Sequence, residues 1–297
     1  MTRIKFKLLV LIIFFFANSN FVFAQCSDGG ICGVGDHDVK LNEPSKLSSI
    51  SAGFSYGTSG NPDKINFSAI TLGYSFPLFK DYEVSVSLPF NFQSSESVST
   101  NGIGDFVFLI SRKLNPNPDL TFSFALGVKL PTGDVNTGDF LPQIYQNGLG
   151  SYDILSGISA YYSNFDFTLG FQLPLTRSEN RITRLKRAPD IMLRAGHSIT
   201  LNDFKFNLAL IGIQNLGLAS QKEIKFGPQP AIVLPDTFED IPNSRQTQLN
   251  VQLSVSKPLS SSLSFSISAA VPLLKRDVNV DGLKRAFSIS TGLNYRY

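Results

Sequence analysis

Asp105, Lys129, Asp134 and Asp153 are the charged side chains whose positions most constrain what this chain can do. Opposite charges placed face to face on neighbouring strands form an ion pair. If the turn at 115–119 is symmetric, Leu114 pairs with Leu120 and Asp105 falls opposite Lys129, with Asp153 or Asp134 nearby. Such a cluster can staple a structure, meet an ionised solute or hold a cation, and stapling is the commonest role of ion-pair networks. Arg194, Gln248 and Asn250 are further candidates for the same polar surface.

Catalytic combinations are scarce. The histidines are His37 and His197, and His197 shares the parity of the apolar Ile191, Leu193 and Ala195. No nucleophile, base and orienting group can be assembled, so no enzyme is expected. Motifs for phosphate, dinucleotide or transition-metal binding are absent, and no cofactor is expected. Cys26 and Cys32 are the two cysteines. They either close a small disulfide loop in an oxidising compartment or join Asp36, His37 and Asp38 around a metal; the disulfide is preferred because the spacing repeats no known ligand set.

Residues 1–24 read as a secretory signal: Arg3, Lys5 and Lys7, then an apolar run from Leu8 to Ala17, then Val22-Phe23-Ala24 before the cleavage point. Lipid attachment at Cys26 is disfavoured by the bulky Gln25 before it. Removing three of the 26 basic residues leaves 23, equal to the 23 acidic ones, so the remainder is net neutral. A neutral chain has no basic face for nucleic acid. No apolar run after residue 24 approaches the ~20 residues of a membrane-spanning helix.

The elements that must position the polar residues have a period of two. Leu120-Phe122-Phe124-Leu126-Val128-Leu130 and Phe165-Phe167-Leu169-Phe171-Leu173 are apolar rows interleaved with Ser, Thr, Gly, Gln and charge. Alternation of this kind puts successive side chains on opposite faces of a strand. Twelve segments follow the pattern, at about 47–57, 65–76, 82–93, 103–114, 120–130, 150–162, 165–175, 189–201, 204–214, 245–256, 262–271 and 285–297. Most exceed the ~5–6 residues usual for soluble strands and match the length of a tilted strand crossing a bilayer. Tight connections alternate with long ones, the longest being 215–244. The expected fold is therefore all-β: a transmembrane antiparallel β-barrel of about twelve strands over 47–297, with short periplasmic turns and long extracellular loops. A soluble β-sandwich would also alternate, but these strands are too long and one face too uniformly Phe, Leu, Val and Ile.

In such a barrel the apolar rows meet outer-membrane lipid, and the alternate positions line a lumen of mostly neutral hydrogen-bonding groups. The second strand needs a bulge, because its apolar set moves from Ile65, Phe67 and Ala69 to Ile70, Leu72, Tyr74 and Phe76. Residues 25–46 show neither period; they either leave the lumen open or fold into it as a plug. Leu293, Tyr295 and Tyr297 alternate to a terminal aromatic, a pattern resembling the signal read by outer-membrane assembly machinery.

Three stretches carry a family resemblance: Asn101-Gly102-Ile103-Gly104-Asp105, Gly127-Val128-Lys129-Leu130-Pro131-Thr132-Gly133-Asp134, and Gly148-Leu149-Gly150-Ser151-Tyr152-Asp153. Together they resemble the outer-membrane family labelled for the meta-pathway of phenol degradation, specifically over 100–175 and diffusely elsewhere. The resemblance implies an outer-membrane channel or transporter, associated in some members with catabolism of aromatic compounds. The expectation is a pore or diffusion transporter for small neutral or modestly hydrophobic solutes; the alternative is a surface-binding or structural barrel whose loops act.

Overall fold

The computed structural model describes residues 47–59, 64–138, 141, 143–225, 232–278, 280 and 286–297. The signal segment, Cys26, Cys32 and the candidate plug at 25–46 lie outside the described residues. The strands are β1 (Ser49–Thr58), β2 (Asn66–Phe79), β3 (Tyr82–Ser94), β4 (Ser99–Ile103), β5 (Phe106–Asn117), β6 (Leu120–Leu130), β7 (Asp153–Tyr162) and β8 (Phe165–Pro174). There follow β9 (Asp190–Leu201), β10 (Phe204–Asn215), β11 (Ser220–Lys225), β12 (Ile232–Asp240), β13 (Thr247–Pro258), β14 (Leu263–Leu274) and β15 (Phe287–Arg296).

β4 and β5 both pair with β3, above and below a break at Gly104-Asp105, and act as one stave. With them, antiparallel neighbours run in chain order around the wall, and β15 returns to β1 in a ladder from Ser49↔Arg296 to Thr58↔Phe287. The result is a closed twelve-strand barrel. β11 and β12 form a separate hairpin within the long connection after β10. The connection after β3 is only Ser95–Val98, not the nine-residue loop expected, because β4 extends its stave upward and Ser95 Oγ accepts the Val98 amide at 3.2 Å.

The faces are sorted inside out relative to a soluble protein. Leu126 and Leu193 are 57% and 63% exposed on the outer wall, whereas Gln172 and Asn250 are fully buried inside. Only a lipid environment makes that distribution favourable, since it covers the outer apolar rows and leaves the polar groups to one another. The inner wall nevertheless has apolar spots. Met192, Ile211 and Ile213 pack together, as do Val107 and Leu155. They share parity with Arg194, Asn207 and Asp153, so these rows are mixed rather than polar throughout.

Two registers differ from expectation. β2 keeps one register against β1 and β3 from Asn66 to Pro77, with no bulge there. Phe67 therefore points inward and is buried, with Ile65 buried beside the strand's start. At the β5–β6 turn the pairing is Leu114↔Phe122 and then Asn117↔Leu120, with an irregularity between. Pro116 has no N–H to continue the ladder, and Asn117 Oδ1 accepts the Asp119 amide at 3.1 Å, which tightens the turn to two residues. The pairing shifts by two positions, so parity survives but Lys129 stands opposite Val107 instead of Asp105.

The two-residue turns Ser163-Asn164 and Asn202-Asp203 join their strands with Ser163 at φ 53° and Asn202 at φ 55°. Asn tolerates this left-handed region better than Ser, and a β-branched residue tolerates it worst. Ser163→Asn is expected to raise the urea midpoint of unfolding, and Ser163→Val to lower stability by about 1–2 kcal/mol, measured by the heat- and urea-dependent gel shift of the folded barrel.

Candidate functional site

The outer mouth is organised by two carboxylates with different jobs. Asp153, the first residue of β7, accepts Lys129 Nζ from β6 at 2.7 Å and Gln172 Nε2 from β8 at 2.5 Å. Ser151 Oγ donates to it at 2.7 Å, and the Arg187 guanidinium pairs with it from the connection between β8 and β9. All these side chains are buried. One carboxylate thus ties three adjacent strands to an outer loop. Lys129 and Asp153 meet because they are direct cross-strand partners.

Asp105 is not the ion partner of Lys129. Its Oδ1 accepts the Gly133 amide at 3.1 Å and its Oδ2 the Leu149 amide at 2.8 Å, so it grips the two ends of the connection from β6 to β7. The grip needs glycine. A Cβ at Gly148 would lie 2.4 Å from Asp105 Oδ1, and one at Gly133 would lie 2.7 Å from the Gly148 backbone. Thr132 Oγ1 completes the joint by donating to the Gly104 carbonyl at 2.8 Å and accepting the Phe106 amide at 2.9 Å across the break in the stave. Asp134 is exposed and outside the ion cluster; its Oδ1 accepts the Asn136 amide at 2.8 Å in a local turn.

The loop held by Asp105 lies against the inner wall. Asn91 and Gln93 on β3 donate to the Asn147 and Gln146 carbonyls at 2.6 and 3.0 Å, and Thr100 donates to the Tyr145 carbonyl at 2.6 Å. It also bonds sideways to the β8–β9 connection. Asn180 Nδ2 donates to the Val135 carbonyl at 2.6 Å, and Ser178 Oγ to Gln143 Oε1 at 3.2 Å. That connection reaches the β11–β12 hairpin through Arg177, whose Nη2 donates to Ser220 Oγ at 2.8 Å and whose guanidinium stacks 3.7 Å from the Phe238 ring centre. Burial first, and then the neighbouring Arg184, hold Arg177 below its ordinary value, with Asp240 opposing. Three outer connections therefore form one bonded lid.

Deeper in the lumen Arg194 pairs with Asp166, and its Nη2 donates to Asn207 Oδ1 at 2.7 Å. Asn207 Nδ2 donates on to Asp166 Oδ1 at 2.8 Å and Ser198 Oγ at 3.0 Å. Gly196 leaves the space for Asp166, since a Cβ there would sit 2.4 Å from Oδ1. Gln248 Nε2 donates to Asn250 Oδ1 at 3.0 Å in a separate buried amide pair on β13. The Gln248–Asn250 pair and the Arg194 cluster are thus distinct from the Asp153 centre. His197 points outward against the Phe165 ring, with centroids 4.7 Å apart, whereas Ser198 bonds inside. The two lie on opposite faces and cannot act as a catalytic pair.

The wall formed by β14, β15, β1, β2 and β3 has another character. Ser266, Ser268, Ser290, Ser51, Ser55, Gly73 and Ser85 face inward and are partly exposed, and Ser268 and Ser290 share a 2.7 Å hydroxyl contact. Arg187 is the partner that sequence reasoning missed, since it sits in an aperiodic stretch; Met192, Ile211 and Ile213 had a signal, namely their shared parity with Arg194 and Asn207.

Asp153→Asn is expected to cost about 3–5 kcal/mol, because two buried cations lose their counter-charge. Lys129→Met should cost less, because Arg187 still pairs with Asp153; urea unfolding of the two variants checks the order. Asp105→Asn should leave the barrel folded but speed hydrogen exchange of the amides of Gly133 and Leu149, read by mass spectrometry.

The family model described as "Putative MetA-pathway of phenol degradation" matches residues 34–239. Among solved structures, the chain is similar to the COG4313 outer membrane channel from Pseudomonas putida F1, with TM-score 0.63 and 13% identity over 89% of this chain and 100% of that one. It is also similar to the NanC porin, with TM-score 0.50 and 10% identity over 84% of this chain and 100% of that one. A comparison with curated proteins finds no match. These likenesses are to the barrel as a fold. The family match spans more than half of the chain, including Asp105, Gly133, Gly148 and Asp153, and the chain belongs to the family described as that pathway of phenol degradation.

Proposed function

We propose that this chain is an outer-membrane diffusion channel for small neutral or modestly hydrophobic solutes, aromatic compounds among them. The observation that carries the reading is the division of the lumen into two walls. Ionised groups on the β6–β9 side are consumed in contacts with one another, Asp153 with Lys129 and Arg187, and Asp166 with Arg194. The facing wall offers mostly small hydroxyl and glycine positions that are partly exposed, and its Glu83 is 4.0 Å from Lys113 of β5. Paired charges project little field, so the accessible wall favours no ion strongly, while small side chains leave room for water and solute.

The exposed Leu and Phe rows support residence in a bilayer, and the terminal Tyr295 and Tyr297, stacked with centroids 6.1 Å apart, would present the aromatic end that assembly machinery reads. Purified protein in liposomes is expected to admit glycerol and other small uncharged solutes in a swelling assay. Ser268→Trp should cut the rate several-fold by filling the small-residue wall. Absence of swelling even with Asp105→Asn, which loosens the lid, would overturn the channel reading.

A further inference from the structure

Basic side chains gather on the β8–β9 connection, just beyond the last exposed leucines of the wall. Leu175 follows β8 directly and Leu216 follows β10 directly; with Leu218 they are 52%, 43% and 48% exposed. Arg177 comes two residues after Leu175, at most about 7 Å further along the chain. The connection carries Arg177, Arg181, Arg184, Lys186 and Arg187 against Glu179. Ser178 and Arg187 are buried and bond to the lid and to Asp153, whereas Arg181, Arg184 and Lys186 are exposed. The Leu216 amide donates to the Pro189 carbonyl at 2.8 Å, and Lys186 and Ser220 exchange backbone bonds of 2.8 and 3.0 Å. Leucines and cations therefore lie on neighbouring segments.

The frame that holds these cations is cross-linked. The Lys222 amide donates to the Thr183 carbonyl at 2.7 Å, and Lys222 stands opposite Phe238 in the β11–β12 hairpin. Arg177 and Arg184 place their guanidinium groups 3.7 and 5.9 Å from the centre of the Phe238 ring. Arg177 Nη1 also donates to the Arg184 and Ser220 carbonyls, each at 3.2 Å. Among the described residues, no carboxylate lies within ion-pair distance of Arg177, Arg184, Lys186 or Lys222. Burial first, and then Arg184, hold Arg177 below its ordinary value, and Asp240 does not offset them. Glu239 pairs with Gln221, one register step away from the Lys222–Phe238 pair. Like charges fixed side by side gain when an anion enters between them.

We propose that Arg184, Lys186 and Lys222, framed by Arg177 and Phe238, bind the phosphate groups of a phosphorylated glycolipid of the outer leaflet, whose acyl chains lie along Leu175, Leu216 and Leu218. Phosphate fits because one group accepts from several donors at once, and a guanidinium meets it with two. The leucines select a lipid. A free anion has no use for them, whereas a glycolipid carries its phosphates above its acyl chains, in the order in which this surface runs from Leu175 to Arg177. Bound glycolipid bridges the β8–β9 connection and the β11–β12 hairpin and so steadies two of the lid's connections. The site stands apart from the lumen, since Arg187, which turns inward, is bound to Asp153. It goes beyond the channel reading and needs only residence in an outer membrane.

Detergent-solubilised full-length protein is titrated with diphosphoryl lipid A, monophosphoryl lipid A, phosphatidylglycerol and inorganic phosphate, and retained molecules are counted by native mass spectrometry. Diphosphoryl lipid A should be retained, with the monophosphoryl form severalfold weaker and phosphatidylglycerol at least tenfold weaker. Arg184→Gln combined with Lys222→Gln should weaken diphosphoryl lipid A at least tenfold, and Leu218→Ser severalfold, with the heat-dependent gel shift of the native barrel retained. Where the double variant does not fold, Lys186→Gln, at an exposed side chain, repeats the test with a severalfold loss expected. Lys257→Gln, on the opposite rim against Phe204, controls for charge alone and should leave retention unchanged. Unaltered retention in the folded double variant or in Lys186→Gln, an equal loss in Lys257→Gln, or phosphatidylglycerol held as tightly as lipid A overturns the site. Inorganic phosphate that displaces lipid A at comparable concentration shows anion binding without lipid recognition and overturns the glycolipid assignment.

Discussion

The whole structure depends on satisfying the backbone inside a lipid slab. Every strand N–H and C=O that faces a neighbour must be paired there, because hydrocarbon offers no substitute partner. The ladder between β1 and β15, ten consecutive residue pairs from Ser49↔Arg296 to Thr58↔Phe287, is what removes the last sheet edge. Once the sheet is closed, side chains have only two destinations. Leu72, Leu126, Leu193 and Leu208 go outward, and the alternate set must find its own partners within a confined interior. The cross-wall networks around Asp153 and Asp166 answer that demand.

Closure of the wall also creates the problem that the outer loops solve. Turns on one side need only two to four residues, but strands on the other side are joined by segments with many backbone polar groups. The β6–β7 connection resolves this by bonding to inner-wall amides and to the next connection. Its anchorage is concentrated in a single residue. Asp105 receives two amides from opposite ends of the same loop, so one carboxylate fixes both the departure and the return of the chain. The Gly-Asp, Thr-Gly-Asp and Gly-Leu-Gly stretches are therefore parts of one joint, each supplying either the carboxylate or the space beside it.

The sequence made the wall legible because a period of two is local: each residue's face follows from its neighbours. All twelve staves were readable on that basis. What depended on non-local detail was not. Pro116 moved a register by two positions, which preserved the inward parity of Asp105 and Lys129 but separated them. Phe67 looked like the start of a lipid-facing row and is an inward aromatic set over Gly57. Arg187 completes the charged centre from an irregular loop, where no periodicity announces which face a side chain will take.

The positions of the charges follow from the same confinement. A carboxylate placed alone on the inner wall would be partly desolvated, so it is stable where cations from adjacent strands or a folded loop can reach it. Asp153 lies on the strand next to Lys129, and Asp166 lies next to the strand bearing Arg194, with Gly196 vacating the intervening space. Concentrating most ionised groups there leaves the opposite strands few charges to match, among them Glu83 of β3, 4.0 Å from Lys113 of β5. They can then carry Ser and Gly, whose small volume leaves the interior open to water. Electrostatic self-satisfaction on one wall thus favours permeable space beside the other.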